Sequence, residues 1–105
     1  MDKFKINMKT LLILTKCCKE KRKKLIKEHD SSLVMCILES VHNLLNGTIK
    51  LEKKSFNKVK KYKNILRKLL RKDSLIKKQN IIIQHGGFLQ YLIPAAITIL
   101  TSILN

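Results

Sequence analysis

EKKSFNKVKKYKNILRKLLRK, residues 52–72, is the stretch whose reading decides the fold. Phe56, Val59, Tyr62, Ile65, Leu66, Leu69 and Leu70 recur at spacings of three and four, which is one face of a helix. The other faces carry Lys53, Lys54, Lys58, Lys60, Lys61, Lys63, Arg67, Lys68, Arg71 and Lys72 against the single acid Glu52. An apolar stripe of this kind must be covered by other elements, and helices are the neighbours the rest of the chain supplies.

Outward from this segment, residues 2–29 read as a first helix, with Met8, Leu11, Leu12, Thr15, Cys18, Leu25 and Ile26 at helical spacing. The lysine run in its second half reads as a solvated face. Asp30, Ser31 and Ser32 offer capping oxygens for a second helix over 32–46, whose stripe is Val34, Ile37, Leu38, Val41, Leu44 and Leu45. No Lys or Arg lies between Asp30 and Ile49, so this helix is expected to be the most buried. Asn46-Gly47 ends it, because Gly takes a positive φ without strain. Asp73-Ser74 breaks the basic helix and caps a short fourth one over 75–84. Three Gly and one Pro leave little material for the turns of a many-stranded fold. The expected architecture is an all-α small helical bundle of three main helices, a short fourth and a C-terminal apolar helix. Its expected parts are a basic helical domain at 1–84, a Gly-Gly hinge at 85–87 and the apolar helix at 88–105.

Charge divides the chain. The 105 residues carry 23 Lys and Arg against seven Asp and Glu, a net charge of +16, and every cation lies at or before Lys78. From Gln79 onward there is no charged side chain apart from the titratable His85. A polycation calls for phosphate or another anionic surface. The only arginines are Arg22, Arg67 and Arg71, so point-charge lysines dominate. Sequence-independent contact with phosphate suits lysine, whereas bidentate base reading favours arginine. Residues 53–72, extended by Lys77 and Lys78, therefore form the candidate DNA-phosphate surface. Anionic lipid is the competing ligand for a basic amphipathic helix.

The apolar run at 88–104 includes Phe88, Leu89, Tyr91, Leu92, Ile93, Pro94, Ile97 and Leu100. It is at the lower limit for a bilayer span, which needs about 20 residues, and Pro94 would kink it. A core helix, a membrane-active segment and a handle for another protein are all open readings. Gly86-Gly87 reads as a flexible, cuttable junction before it.

Chemistry is sparse. Cys17, Cys18 and Cys36 have neither disulfide-framework nor zinc spacing and read as reduced thiols. The seven acids form no paired-carboxylate constellation, His29, His42 and His85 are scattered, and no phosphate-cradling glycine loop is present. Residues 8–14 are too short an apolar run for a signal peptide. No catalysis, metal or cofactor is expected.

Gln84-His85-Gly86-Gly87-Phe88-Leu89, continuing to Leu92-Ile93-Pro94-Ala95-Ala96, resembles the C-terminal part of the precursor of adenovirus core protein X (mu). With Leu45-Asn46-Gly47 and Tyr62-Lys63-Asn64-Ile65-Leu66-Arg67, the chain also looks like the lysine-rich protein X-like proteins of adintoviruses and Polinton (Maverick) elements. The resemblance covers residues 41–104. It implies a non-enzymatic minor virion protein that binds and condenses double-stranded DNA in the virion core, meeting that DNA in the host nucleus or cytoplasm during assembly. It also implies cutting by a viral cysteine protease between Gly87 and Phe88, after Gly86-Gly87. Gln84 stands where that family has Met, Ile or Leu, and the basic region is Lys-rich and helically patterned where mu is Arg-rich. Two alternatives accompany this expectation: a membrane-active protein using 88–105 on an anionic bilayer, and an interaction module docking on capsid proteins.

Overall fold

Asp30 starts the central helix of the bundle: its carboxylate accepts from the Ser32 backbone N–H at 3.0 Å and from the Ser32 hydroxyl. These two donors hold the Asp30 carboxyl below its ordinary acidic range. Ser74 caps in the same way, accepting from Lys77 N–H at 3.2 Å. Gly47, at φ 86°, ends the central helix, and the Asn46 side chain accepts from Thr48 N–H just beyond it.

The computed structural model describes the backbone of residues 2–104 and the side chains of residues 7–97. Its helices are α1 (Asp2–Leu14), α2 (Lys19–Glu28), α3 (Ser31–Leu45), α4 (Lys53–Val59), α5 (Lys63–Leu69), α6 (Leu75–His85) and α7 (Leu89–Leu104). Two short 3-10 turns, Lys60–Tyr62 and Gly86–Phe88, join α4 to α5 and α6 to α7. No strand occurs among the described residues, and the all-α bundle is the fold observed.

The expected first helix is in fact two. The Thr15 hydroxyl donates to Leu12 O at 2.6 Å, and Thr15 N–H divides between Leu11 O and Leu12 O. A side chain that takes a last-turn carbonyl competes with the helical ladder, and the backbone is extended at Cys18 before α2 begins. The expected helix over 52–72 is likewise interrupted, by the tighter 3-10 turn at Lys60–Tyr62.

α1, α3 and α7 pack on one another, and α2, α5 and α6 cover them, with α6 touching both α2 and α5. Leu11 and Leu14 of α1, Leu33, Ile37 and Val41 of α3, and Leu89, Leu92 and Ile93 of α7 are buried together with Phe88. Over residues 88–97 the apolar run after the Gly-Gly therefore belongs to the core, with Pro94 on its exposed side. Leu100 lies outside the residues whose side chains are described. Buried polar groups are satisfied: Asn7 donates to Ser32 Oγ at 3.0 Å, and the Ser40 hydroxyl to Cys36 O at 3.0 Å.

The Gly-Gly junction corrects the expectation of a flexible break. Gly86 is buried, and both glycines sit in a wound turn continuous with α6 and α7. Their φ angles are not the reason for glycine; space is. A Cβ on Gly86 would lie 2.7 Å from Cδ and Nε of Arg22, and one on Gly87 would lie 2.5 Å from the Tyr62 hydroxyl. Tyr62 in turn meets Phe88 edge to face, with ring centroids 6.0 Å apart. Gly87→Ala should cost about 1–3 kcal/mol in denaturant unfolding, the range for overpacking. Most of that loss should vanish in the Tyr62→Phe background, where the obstructing oxygen is gone.

Candidate nucleic-acid interface

Phosphate contact needs cations that are exposed, unneutralised and close enough to act together. Lys53, Lys54, Lys58, Lys60, Lys61, Lys63, Arg67, Lys68, Arg71, Lys72 and Lys77 are all exposed, and Lys78 is half-buried. Among the described residues one ion pair occurs, Lys77 with Asp73 at 3.6 Å, and both partners face solvent. Such exposed pairs are weak, so the basic surface is essentially uncompensated.

The fold divides these residues into two groups. Lys63, Arg67 and Lys68 of α5, Arg71 and Lys72 just after it, and Lys77 and Lys78 of α6 share one flank, because α5 packs on α6. Lys53, Lys54 and Lys58 belong to α4, which packs on α7. Lys58 is also engaged there, with its Nζ 5.7 Å from the centre of the Tyr91 ring.

Sequence reasoning missed the part of this surface on α2. Lys19, Lys21, Lys23, Lys24 and Lys27 are exposed on a helix that packs against α6. The lysine run was legible, but its partner helix was not, since residues 19–27 and 75–85 are far apart in the chain.

What aligns α2 with α6 is a reciprocal pair of side-chain bonds to backbone. Arg22 Nε and Nη2 donate to Ile83 O at 3.1 and 2.9 Å, and Gln79 Nε2 donates to Ile26 O at 3.2 Å. Residue 22 meets 83 and residue 26 meets 79, so the two helices run antiparallel. Each bond also reaches a carbonyl in the last turn of the other helix, where acceptors lack intrahelical partners and a cation is favoured by the helix dipole. Arg22 is 9% exposed, the buried cation among the described residues. The neighbouring lysines of α2 are exposed, on a helix adjoining α6.

The Gly86, Gly87 and Phe88 junction lies at the end of this contact. Gly86 and Phe88 are buried, whereas a protease must draw several residues into an extended conformation. Cutting between Gly87 and Phe88 thus requires the turn to unwind first. No protein-family model, curated protein or solved structure matches this chain.

Arg22→Ala should destabilise the protein by about 1–3 kcal/mol, because it leaves the Ile83 carbonyl unpaired. Under a broad-specificity protease, the intact protein should resist cutting within 84–89. The variant should be cut there about tenfold faster or more, in proportion to its larger open fraction. Mass spectrometry of the fragments reads both.

Proposed function

We propose that this chain is a non-enzymatic protein that binds and condenses double-stranded DNA without sequence preference, as a minor core protein of a virus-like element. The observation that supports it is the run of exposed cations over three adjoining helices, α2, α6 and α5, with Lys77–Asp73 the ion pair among the described residues. A merely solvated surface would gain nothing from collecting like charges, which repel one another and oppose compaction. A polyanion reverses that penalty: each neutralised phosphate releases condensed counterions, and the complex gains what the free protein lacks. The virion setting rests on the resemblance over residues 41–104 and on nothing else.

The roles divide by residue type. Lysines act as point charges that follow the phosphate backbone in many registers, which suits packaging. Lys19, Lys21, Lys23, Lys24 and Lys27 form one bank. Lys63, Arg67, Lys68, Arg71 and Lys72 on and after α5, with Lys77 of the adjoining α6, form the other. Lys53, Lys54, Lys60 and Lys61 supply further exposed charge.

Membrane action by residues 88–104 has weaker support. Phe88, Leu89, Leu92 and Ile93 are covered by the other helices, so meeting lipid would require the core to open. Among the described residues no helix is long and apolar enough to cross a membrane.

Duplex binding across a salt series tests the proposal. The wild type should bind unrelated sequences equally, with log K falling steeply against log salt at a slope near −0.9 for each phosphate contacted. Replacing the five α2 lysines by Gln, or the six residues of the second bank by Gln, should weaken binding more than about tenfold at ~0.15 M salt. Each replacement should also flatten the slope by several units. Absent binding, or binding indifferent to both replacements, would overturn the proposal.

A further inference from the structure

Beside the basic flank, with which it shares Lys63, the end of α3 and the α4–α5 segment enclose a groove of about 240 Å³. Leu45, Leu51, Phe56 and Leu66 wall it, and Lys60 and Lys63 stand at its rim. Phe56 is 53% exposed and Leu45 44% exposed. Phe56 was expected to be a core residue of its helix, yet it lies in the open. Phe56, Lys60 and Lys63 all line this groove, so an aromatic ring and two cations stand together there although a 3-10 turn separates α4 from α5.

We propose that this groove is a docking site for an acidic, amphipathic segment of a partner protein. The segment would place one or two bulky apolar side chains against Phe56 and Leu45 and set carboxylates beside Lys60 and Lys63. Charge complementarity selects it. The groove belongs to a chain of net charge +16, so a second copy would bring repulsion, and a neutral apolar segment would leave both lysines without partners. Size selects it as well. Pockets for drug-sized ligands run from roughly 300 to 1,000 Å³, so this smaller space takes side chains of a larger partner better than a whole small molecule. Its lining offers apolar carbon and ammonium groups but no uncharged polar side chain to read a base edge. Helix-in-groove recognition has this form, with apolar anchors at helical spacing and charges at the margin.

The site shares Lys63 with the DNA reading, but Phe56 and Leu45 carry no charge, so their replacement tests this inference separately. The test uses a stapled helical peptide of about 15 residues, with Leu at i, i+3 and i+7 and Glu on both flanks. Two controls replace every Leu by Ala or every Glu by Lys. The Leu/Glu peptide should bind the full chain, and both controls should bind at least about tenfold more weakly. Phe56→Ser and Leu45→Ser, at half-exposed positions, should keep the helical circular dichroism and DNA affinity but lose peptide binding about tenfold. Lys60→Glu with Lys63→Glu should lose it too. Equal binding of the Leu/Glu and Ala/Glu peptides would reduce the effect to general charge attraction and overturn the proposal. So would peptide binding untouched by Phe56→Ser, or Phe56-dependent self-association in sedimentation. Phe56-dependent binding to phosphatidylserine vesicles without peptide binding would overturn it as well.

Discussion

Arg22 lying across Gly86 is the contact on which the two halves of this molecule depend. Its guanidinium ties α2 to the end of α6 through the Ile83 carbonyl, and its stem occupies the space that a side chain on Gly86 would need. On one side of that contact the lysines of α2 face solvent. On the other, the uncharged α7 enters the core. Removing the arginine would unpair a carbonyl, and adding a Cβ at Gly86 would displace the arginine. The two residues therefore constrain each other across more than sixty positions of sequence.

A net charge of +16 sets the terms for the rest. Few acids are present to balance it, so the fold keeps nearly all described cations at the surface and draws much of its interior from the segments without Lys or Arg, α3 and the described part of α7. This accounts for the burial of Leu89, Leu92 and Ile93 of α7, although the composition of that helix also suits lipid: they carry no charge that the interior would leave unpaired. The resulting surface is stable when ions screen it and more stable when a polyanion covers it. The groove beside Phe56 is a separate feature, apolar at its floor and cationic at its rim. Under the two proposals, DNA and an acidic protein segment engage adjoining parts of one small bundle, with Lys63 common to both.

Much of the fold could be read from local signals. The stripe at Val59, Leu66 and Leu69, the Asp30 and Ser74 caps and the stop at Gly47 each act over a few residues. Chemistry of that range is written in short stretches of sequence. The Thr15 break was not legible, because no Gly or Pro marks it and a threonine hydroxyl turning onto Leu12 O leaves no composition signal. Phe56 shared the spacing of a core stripe but lost its cover where the 3-10 turn at Lys60–Tyr62 changed the register. The exposed cations of α4, α5 and α6 were evident from their type, whereas the α2 bank became part of the same surface only when α6 was seen beside it.

The sequence by itself determined the class of fold and the division into a cationic and an uncharged part, since helical periodicity and charge are properties of neighbours along the chain. Tertiary structure alone decided the meaning of Gly86-Gly87. Two glycines in a row read as freedom when nothing is known to touch them. Arg22 and Tyr62, brought from distant positions, fill the space that a side chain at either glycine would need. The decisive property is the space left by absent side chains, and that space acquires a purpose only from atoms that folding places against it.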